Sequence, residues 1–261
     1  MFDYHMHSTV SFDGKSDALS MALAARKKGL REICFTDHID RDIHKAPDAM
    51  TFRTEDYNKA YDDLQVPGLL IRKGIEFGMK PGNCRDFQKE LQRRPFDFVL
   101  GSVHFVKEMN VYKEPFWIGR PRIQAENEYL EEMLQCVRVH DQYDVLAHLN
   151  FLSKSLYNPD HAPMHYEDHR EILDEILTIL VQKGKGLEIN TSGIRRGVGF
   201  LPEKPFFQRF KALGGEIVTV GSDAHQCQRV GEAVPEALEI LRDVFGYVCT
   251  FEDRKPIFHR L

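Results

Sequence analysis

The placement of histidines and acids against an alternating strand and helix pattern constrains this chain more than any other feature. His5-Met6-His7 lies in the first extended segment, and alternate side chains of a strand share a face, so both imidazoles can reach one metal ion. Asp13, Thr36-Asp37-His38, Glu76, His104, His148 and Asp223-Ala224-His225 follow. A single His-x-His says little, because an isolated histidine on an apolar strand is more often a packed core residue than a ligand. Nearly every expected strand ending in a His, Asp or Glu is different: it points to a multinuclear metal site.

Apolar periodicity and breakers predict strands over 2–7, 32–36, 69–76, 96–104, 145–148, 186–190 and 216–221. Helices are expected over 16–28, 54–64, 84–93, 124–140, 166–183, 205–213 and 231–244, the first capped by Ser16 and ended by Gly29. The stretches 39–52 and 105–122 read as irregular segments lying over the site. Six to seven strand-helix units without a Pro/Ser-rich linker or an internal repeat argue for one α/β domain over 1–261 that closes into a parallel barrel. An open doubly wound sheet would gather its ligands mainly at one topological switch point, so contributions from almost every strand favour the barrel.

At 261 residues with 42% hydrophobic content, the chain is near the ~250 residues typical of an α/β barrel. A net charge of -5 gives no basic footprint for nucleic acid. Cys34, Cys84, Cys136, Cys227 and Cys249 form no CxxC pair, which argues against a disulfide framework or a thiolate zinc site and fits a reducing cytoplasm. The opening residues lack a basic segment followed by an apolar core, and no run approaches the ~18 apolar residues of a membrane span, so a cytoplasmic location with no membrane partner is expected.

Taken together, these motifs resemble the PHP (polymerase and histidinol phosphatase) superfamily over the whole chain. His5-Met6-His7 is similar to the family's opening HxH, Thr36-Asp37-His38 to its second motif, Gly101-Ser102-Val103-His104 to its third and Gly221-Ser222-Asp223-Ala224-His225 to its last, with Glu76 and His148 as intervening single ligands. The resemblance implies a distorted (βα)7 TIM-like barrel with three divalent ions at the C-terminal ends of the strands. It implies one ion on His5, His7, Glu76 and Asp223, a second on Glu76, His104 and His148, and a third on Asp13, His38 and His225, with Glu76 as the bridge. Glu76, Asp223 and His225 are then the catalytic residues. Imidazole and carboxylate donors without thiolate suit zinc, manganese or iron(II). Three such ions with three carboxylates leave about three positive charges, which favours a phosphate ester attacked by a metal-acidified water.

Asn190-Thr191-Ser192-Gly193-Ile194-Arg195-Arg196 resembles the family's phosphate-binding segment, with Arg195 the first candidate and Arg196 the second, because an arginine can grip phosphate through two parallel hydrogen bonds. After the position of His148 family members commonly carry an acidic residue and then a basic pair, whereas this chain reads Leu149-Asn150-Phe151-Leu152-Ser153-Lys154, and Lys154 is expected to replace the pair as a point charge. The resemblance implies hydrolysis of a small phosphomonoester, in first place L-histidinol phosphate in histidine biosynthesis. Alternatives are another PHP phosphoesterase acting on a sugar phosphate or nucleotide, an amidohydrolase-type metal hydrolase, and a non-catalytic metal- or phosphate-binding module. The sequence leaves the oligomeric state open. Asp37 reads as orienting a ligand imidazole or as a general acid, Trp117 and Tyr112 as stacking on a substrate or anchoring their loop, and Cys227 as an inert thiol or a soft ligand. His140, His161, His165, His169 and His259 read as surface or loop residues, and His44 as lying near the mouth.

Overall fold

A computed structural model describes residues 1–41 and 49–261. His44 and part of the irregular stretch expected over 39–52 lie outside the described residues. Strands β1 (Phe2–Met6), β2 (Glu32–Ile39), β3 (Leu70–Gly78), β4 (Phe98–Ser102), β5 (Val145–Leu146), β6 (Gly186–Asn190) and β7 (Val218–Gly221) form one sheet in chain order among the described residues. Neighbouring strands pair in parallel throughout. Between them run α1 (Ala18–Lys27), α2 (Thr54–Tyr61), α3 (Cys84–Arg93), α4 (Arg122–Val139), α5 (Arg170–Gln182) and α6 (Lys204–Ala212), followed by α7 (Val234–Val244). This is the expected α/β barrel of seven parallel strands, nearly closed. No helix among the described residues is long and apolar enough to cross a membrane.

Closure is made at the site end of the seam between β1 and β7. His7 N–H donates to the carbonyl of Ala224 at 2.8 Å, and Asp223 N–H donates to that of His5 at 2.8 Å. Beside these bonds a side chain takes the place of a ladder. The buried carboxylate of Asp3 accepts from Ser222 N–H at 2.9 Å, the Ser222 hydroxyl at 2.5 Å and Gly231 N–H at 2.8 Å. The register of β1 against β2 also shifts between Asp3 and Met6, an irregularity that lets successive residues serve different surroundings. Tyr4 packs edge-on to Phe98, whereas His5 and His7 meet at the opposite end, their Nε2 atoms 3.1 Å apart.

Several elements differ from the sequence expectation for identifiable reasons. The N-cap of α1 is Asp17, whose carboxylate accepts from Ser20 N–H at 2.9 Å, while Ser16 accepts from Cys227 N–H at 3.2 Å and so ties the loop after β1 to the loop after β7. Strand β2 runs on to Ile39, so Asp37 and His38 lie within it rather than after it. The helix expected from Tyr166 begins as a 3-10 turn, Tyr166–His169. A C-terminal hairpin, β8 (Tyr247–Glu252) and β9 (Lys255–Arg260), was not expected, because its turn residues Asp253 and Arg254 take the left-handed conformation at φ 47° and 65° without the Asn-Gly or Asp-Gly signal that usually announces such a turn. The hairpin packs against the strand starts: Phe251 lies 4.7 Å from Phe98 ring to ring and donates its N–H to the Tyr4 hydroxyl at 3.0 Å. His140 and His169 are buried rather than on the surface; His140 Nε2 meets the Lys80 carbonyl at 2.9 Å, and His169 pairs with Glu126 at 2.7 Å.

The seam yields a stability prediction. Asp3→Ala leaves the buried Ser222 N–H and hydroxyl, the half-buried Gly231 N–H and, at 3.5 Å, the buried His5 N–H without this acceptor, at about 1–3 kcal/mol for each group that water cannot reach. Denaturant unfolding should show a net loss of about 2–4 kcal/mol. A loss below about 1 kcal/mol would mean that the seam does not depend on this carboxylate.

Candidate metal centre

Glu76 near the end of β3 is fully buried, and five imidazoles converge on it. Its Oε2 lies 3.2 Å from His5 Nε2, 3.4 Å from His7 Nε2 and 3.0 Å from His38 Nδ1. Its Oε1 lies 2.7 Å from His148 Nε2 and 3.2 Å from His104 Nε2, and accepts from Ser102 Oγ at 2.6 Å. Parallel register accounts for part of this: His38 on β2 stands opposite Glu76 on β3. The two oxygens thus face two separate imidazole sets.

The remaining expected residues join the same cluster. Asp223 Oδ1 lies 3.4 Å from His7 Nε2, 3.8 Å from His5 Nε2 and 3.5 Å from His225 Nδ1. Asp13 Oδ2 is 3.2 Å from His225 Nε2 and 3.8 Å from His38 Nε2. The His7 ring is stacked between those of His38 and His225, each 4.2 Å away. Two of the ligand-type residues hold left-handed backbone: His148 at φ 22° and Asp223 at φ 52°. Such conformations cost on the order of 1–3 kcal/mol and persist where the surroundings fix them.

The donor chemistry fits a metal. Glu76 Oε2 and His38 Nδ1 are buried without a hydrogen-bond partner among the described residues, although charged or polar atoms stand within 3.4 Å of each. Donor atoms packed at these distances without hydrogen-bond geometry are arranged as ligands of shared cations would be. Groups of three donors within 4.8 Å of one another occur as His5, His7 and Asp223, as His5, Glu76 and His148, as His7, His38 and His225, and as His38, Asp40 and His104.

Most of the imidazoles are oriented from outside. His7 Nδ1 lies 3.2 Å from Ser11 Oγ, which itself donates to Asp37 at 2.8 Å; His104 Nδ1 lies 3.0 Å from Asp40 Oδ2; His5 Nδ1 lies 2.7 Å from Glu188 Oε1; His225 Nδ1 lies 3.0 Å from the Asp223 carbonyl. Each partner is an acceptor, so each Nδ1 holds a proton and Nε2 is the nitrogen turned toward the centre, open to a cation once it is itself unprotonated. Asp37 therefore orients His7 through Ser11, and it also accepts from Ser8 N–H and the Tyr61 hydroxyl. Asp40 and Glu188 were missed from sequence. His38-Ile39-Asp40 repeats the period-two spacing of His5-Met6-His7, a signal that could have found Asp40; Glu188 could have been suspected as an acid flanked by Leu187 and Ile189 inside the Gly186–Asn190 strand.

Electrostatics follow this crowding. Burial opposes ionisation of Glu76, but His5, His38 and His104 outweigh it and hold the carboxyl well below the usual range. Burial likewise opposes ionisation of Asp223, which Lys154 and His5 hold well below that range. For His104, burial lowers the pKa, yet Asp40 and Glu76 together raise it to about 9.

Above the cluster opens a cleft of about 630 Å³ lined in part by Phe12, Tyr112, Phe151, Lys154, Arg195 and Arg196. Lys154 ends the 3-10 turn Phe151–Lys154, and its Nζ donates to Asp223 Oδ2 at 2.6 Å and to Ser192 Oγ at 2.9 Å. Arg195 and Arg196 lie on the turn Ile194–Arg196. Arg195 is held loosely, 3.4 and 3.5 Å from the Ser222 and Asp223 carbonyls and 3.5 Å from Glu232, whereas Arg196 donates to the Tyr112 hydroxyl at 2.6 Å. Trp117 anchors its loop, donating Nε1–H to the Val111 carbonyl at 2.8 Å. Cys227 is half-buried and belongs to none of the donor groups among the described residues.

Parallel strands that deliver imidazoles and carboxylates to one buried glutamate define a metal-binding α/β barrel. The chain belongs to the PHP domain family, whose match spans residues 3–192. It is 30% identical to the histidinol-phosphatase of Lactococcus lactis over 97% of this chain and 95% of that protein, and 29% identical to a probable histidinol-phosphatase of Clostridium acetobutylicum over 99% and 96%. Among solved structures, the histidinol phosphate phosphatase of Lactococcus lactis in complex with zinc, L-histidinol and phosphate superimposes with a TM-score of 0.87 at 28% identity, covering 98% of each chain.

His104 gives a pH prediction for protein stripped of metal. With its folded pKa raised to about 9 against the ordinary 6.5, its charge pairing stabilises the fold fully below pH 6.5 and is lost as pH rises through about 9. Unfolding free energies measured from pH 6 to 10 should fall across that window, and Asp40→Asn should flatten the fall. An unchanged slope in Asp40→Asn would show that Asp40 does not set the His104 charge.

Proposed function

We propose that this chain is a metal-dependent phosphoric monoester hydrolase that converts L-histidinol phosphate to L-histidinol and inorganic phosphate with three divalent ions, zinc, manganese or iron. The observation that carries the reading is Glu76, buried between two imidazole sets beneath a cleft rimmed by Lys154, Arg195 and Arg196. Likeness along almost the whole chain to histidinol phosphatases supports the substrate. In this reading His5, His7, Glu76 and Asp223 hold one ion, Glu76, His104 and His148 a second, and Asp13, His38 and His225 a third, with Glu76, Asp223 and His225 as the catalytic residues.

When bound, such ions acidify a water for in-line attack on phosphorus and neutralise charge on the phosphoryl oxygens. The residues of the chain bind and orient. Asp223 divides its oxygens, Oδ1 toward the imidazoles and Oδ2 toward Lys154, and so fixes an ammonium at the edge of the reacting group. Arg195, loosely held at carbonyl oxygens, is available to grip phosphate; Arg196 must first leave Tyr112. Electrostatics make these cations more important than the ligand set alone would suggest. Asp40 and Glu188 add two carboxylates to the centre, reducing its net charge from about three to about one positive, so attraction of a phosphate dianion depends on the basic rim.

The substrate is tested by phosphate release from histidinol phosphate, sugar phosphates, nucleotides and p-nitrophenyl phosphate by zinc-loaded protein. Histidinol phosphate should give the highest kcat/KM, because the site must recognise an amine and an imidazole as well as phosphate. A sugar phosphate or nucleotide turned over at least about tenfold better, roughly 1.4 kcal/mol of transition-state advantage, would overturn the substrate and leave the phosphoesterase class standing.

A paired substitution tests the clamp. Losing a charge-assisted bidentate contact costs roughly 2–4 kcal/mol, so Arg195→Ala should lose about thirtyfold to nearly a thousandfold in kcat/KM, with a smaller loss for Arg196→Ala. A large loss in Arg196→Ala alone would transfer the role to Arg196, and no loss in either would remove the clamp.

A further inference from the structure

We infer that Glu188 is a positioning residue that sets two ligands from two strands at once, His5 through its ring and His148 through its backbone, an inference that rests on reading both histidines as metal ligands. Glu188 lies on β6 and is buried. Its Oε1 is 2.7 Å from His5 Nδ1, while its Oε2 accepts from His148 N–H at 2.8 Å and from Asn190 Nδ2 at 3.2 Å. From the centre of the site, His5 Nε2 faces Glu76 Oε2 at 3.2 Å and His148 Nε2 faces Glu76 Oε1 at 2.7 Å. Two buried carboxylates therefore oppose each other across His5 and His148, one facing the inward nitrogens, the other holding the residues from behind.

The contacts explain why a carboxylate is needed. A proton kept on His5 Nδ1 leaves Nε2 with its lone pair directed at the centre. His148 holds a φ of 22°, and a charge-assisted bond to its N–H offsets the cost of that conformation. Every partner of Glu188 is a donor, so an amide in its place would set an –NH2 against one of them. The approach depends on Gly221 of β7: a Cβ there would come within 2.4 Å of Glu188 Oε1 and 2.2 Å of His5 Cβ.

Zinc competition against a chromophoric chelator, with the full-length chain, tests the inference, and circular dichroism of the metal-stripped proteins reports their folding. Glu188→Gln should weaken two zinc-binding steps together by about 10–100-fold and leave the third unchanged, since the partners of Asp13, His38 and His225 do not include Glu188. Glu188→Asp keeps the charge but is a methylene shorter, and should weaken one or both of the same steps; it carries the test if Glu188→Gln does not fold. Wild-type affinity at every step in either folded variant overturns the inference, as does a loss confined to the third step. A wild-type chain that binds no zinc would instead overturn the reading of His5 and His148 as ligands.

Discussion

A carboxylate with no access to water is the constraint around which this barrel is arranged. Glu76 cannot remain ionised in an apolar interior unless positive charge is brought to it, and each imidazole brought near enough to help also repels its neighbours if it is itself protonated. The outcome is visible in opposite directions within one cluster: His5 is pushed well above its ordinary pKa, although burial acts against this, by Glu188, Glu76 and Asp223, while burial and the neighbouring His225 and His38 push His7 well below. Divalent cations remove the conflict, since they let every imidazole stay neutral and every carboxylate stay charged.

Around that point the chain supplies acceptors rather than bulk. Ser11, Asp40, Glu188 and the Asp223 carbonyl each take an Nδ1 proton, so rings from different parts of the barrel are turned the same way by different elements. Local strain accompanies this arrangement. The left-handed backbone at His148 and Asp223 turns the chain abruptly as it leaves β5 and β7, which is how two short strands can still present their side chains over the barrel mouth.

Much of this was legible in the residues. Period-two spacing in His5-Met6-His7 and the recurrence of acids and histidines at apolar strand ends pointed to the barrel and to the residues that the structure brings together. Lys154 emerged as a cation at the cleft only through the resemblance, as the one basic residue in the run after His148 that could stand in for the family's basic pair. What stayed hidden shares a physical cause: it depends on contacts between segments remote in sequence. Asp3 reads as an ordinary polar residue until Ser222 and Gly231 are seen beside it. Glu188 acquires its role only through His5 and His148; the Asp253-Arg254 turn is the exception, hidden for the local reason that it carries no glycine. His169 looked like a surface residue because its partner, Glu126, lies on another helix.

The seam between β1 and β7 has a consequence for the order in which the molecule comes into being. His5 and His7 leave the ribosome well before Asp223 and His225, which face them across that seam. Closing the barrel and completing the donor set are therefore one late event of high contact order, delayed until β7 can reach β1. Until then the growing chain displays a partial donor set without the aspartate that completes it, and a product truncated ahead of β7 stays in that state. Time, as much as geometry, separates the nascent chain from a finished centre.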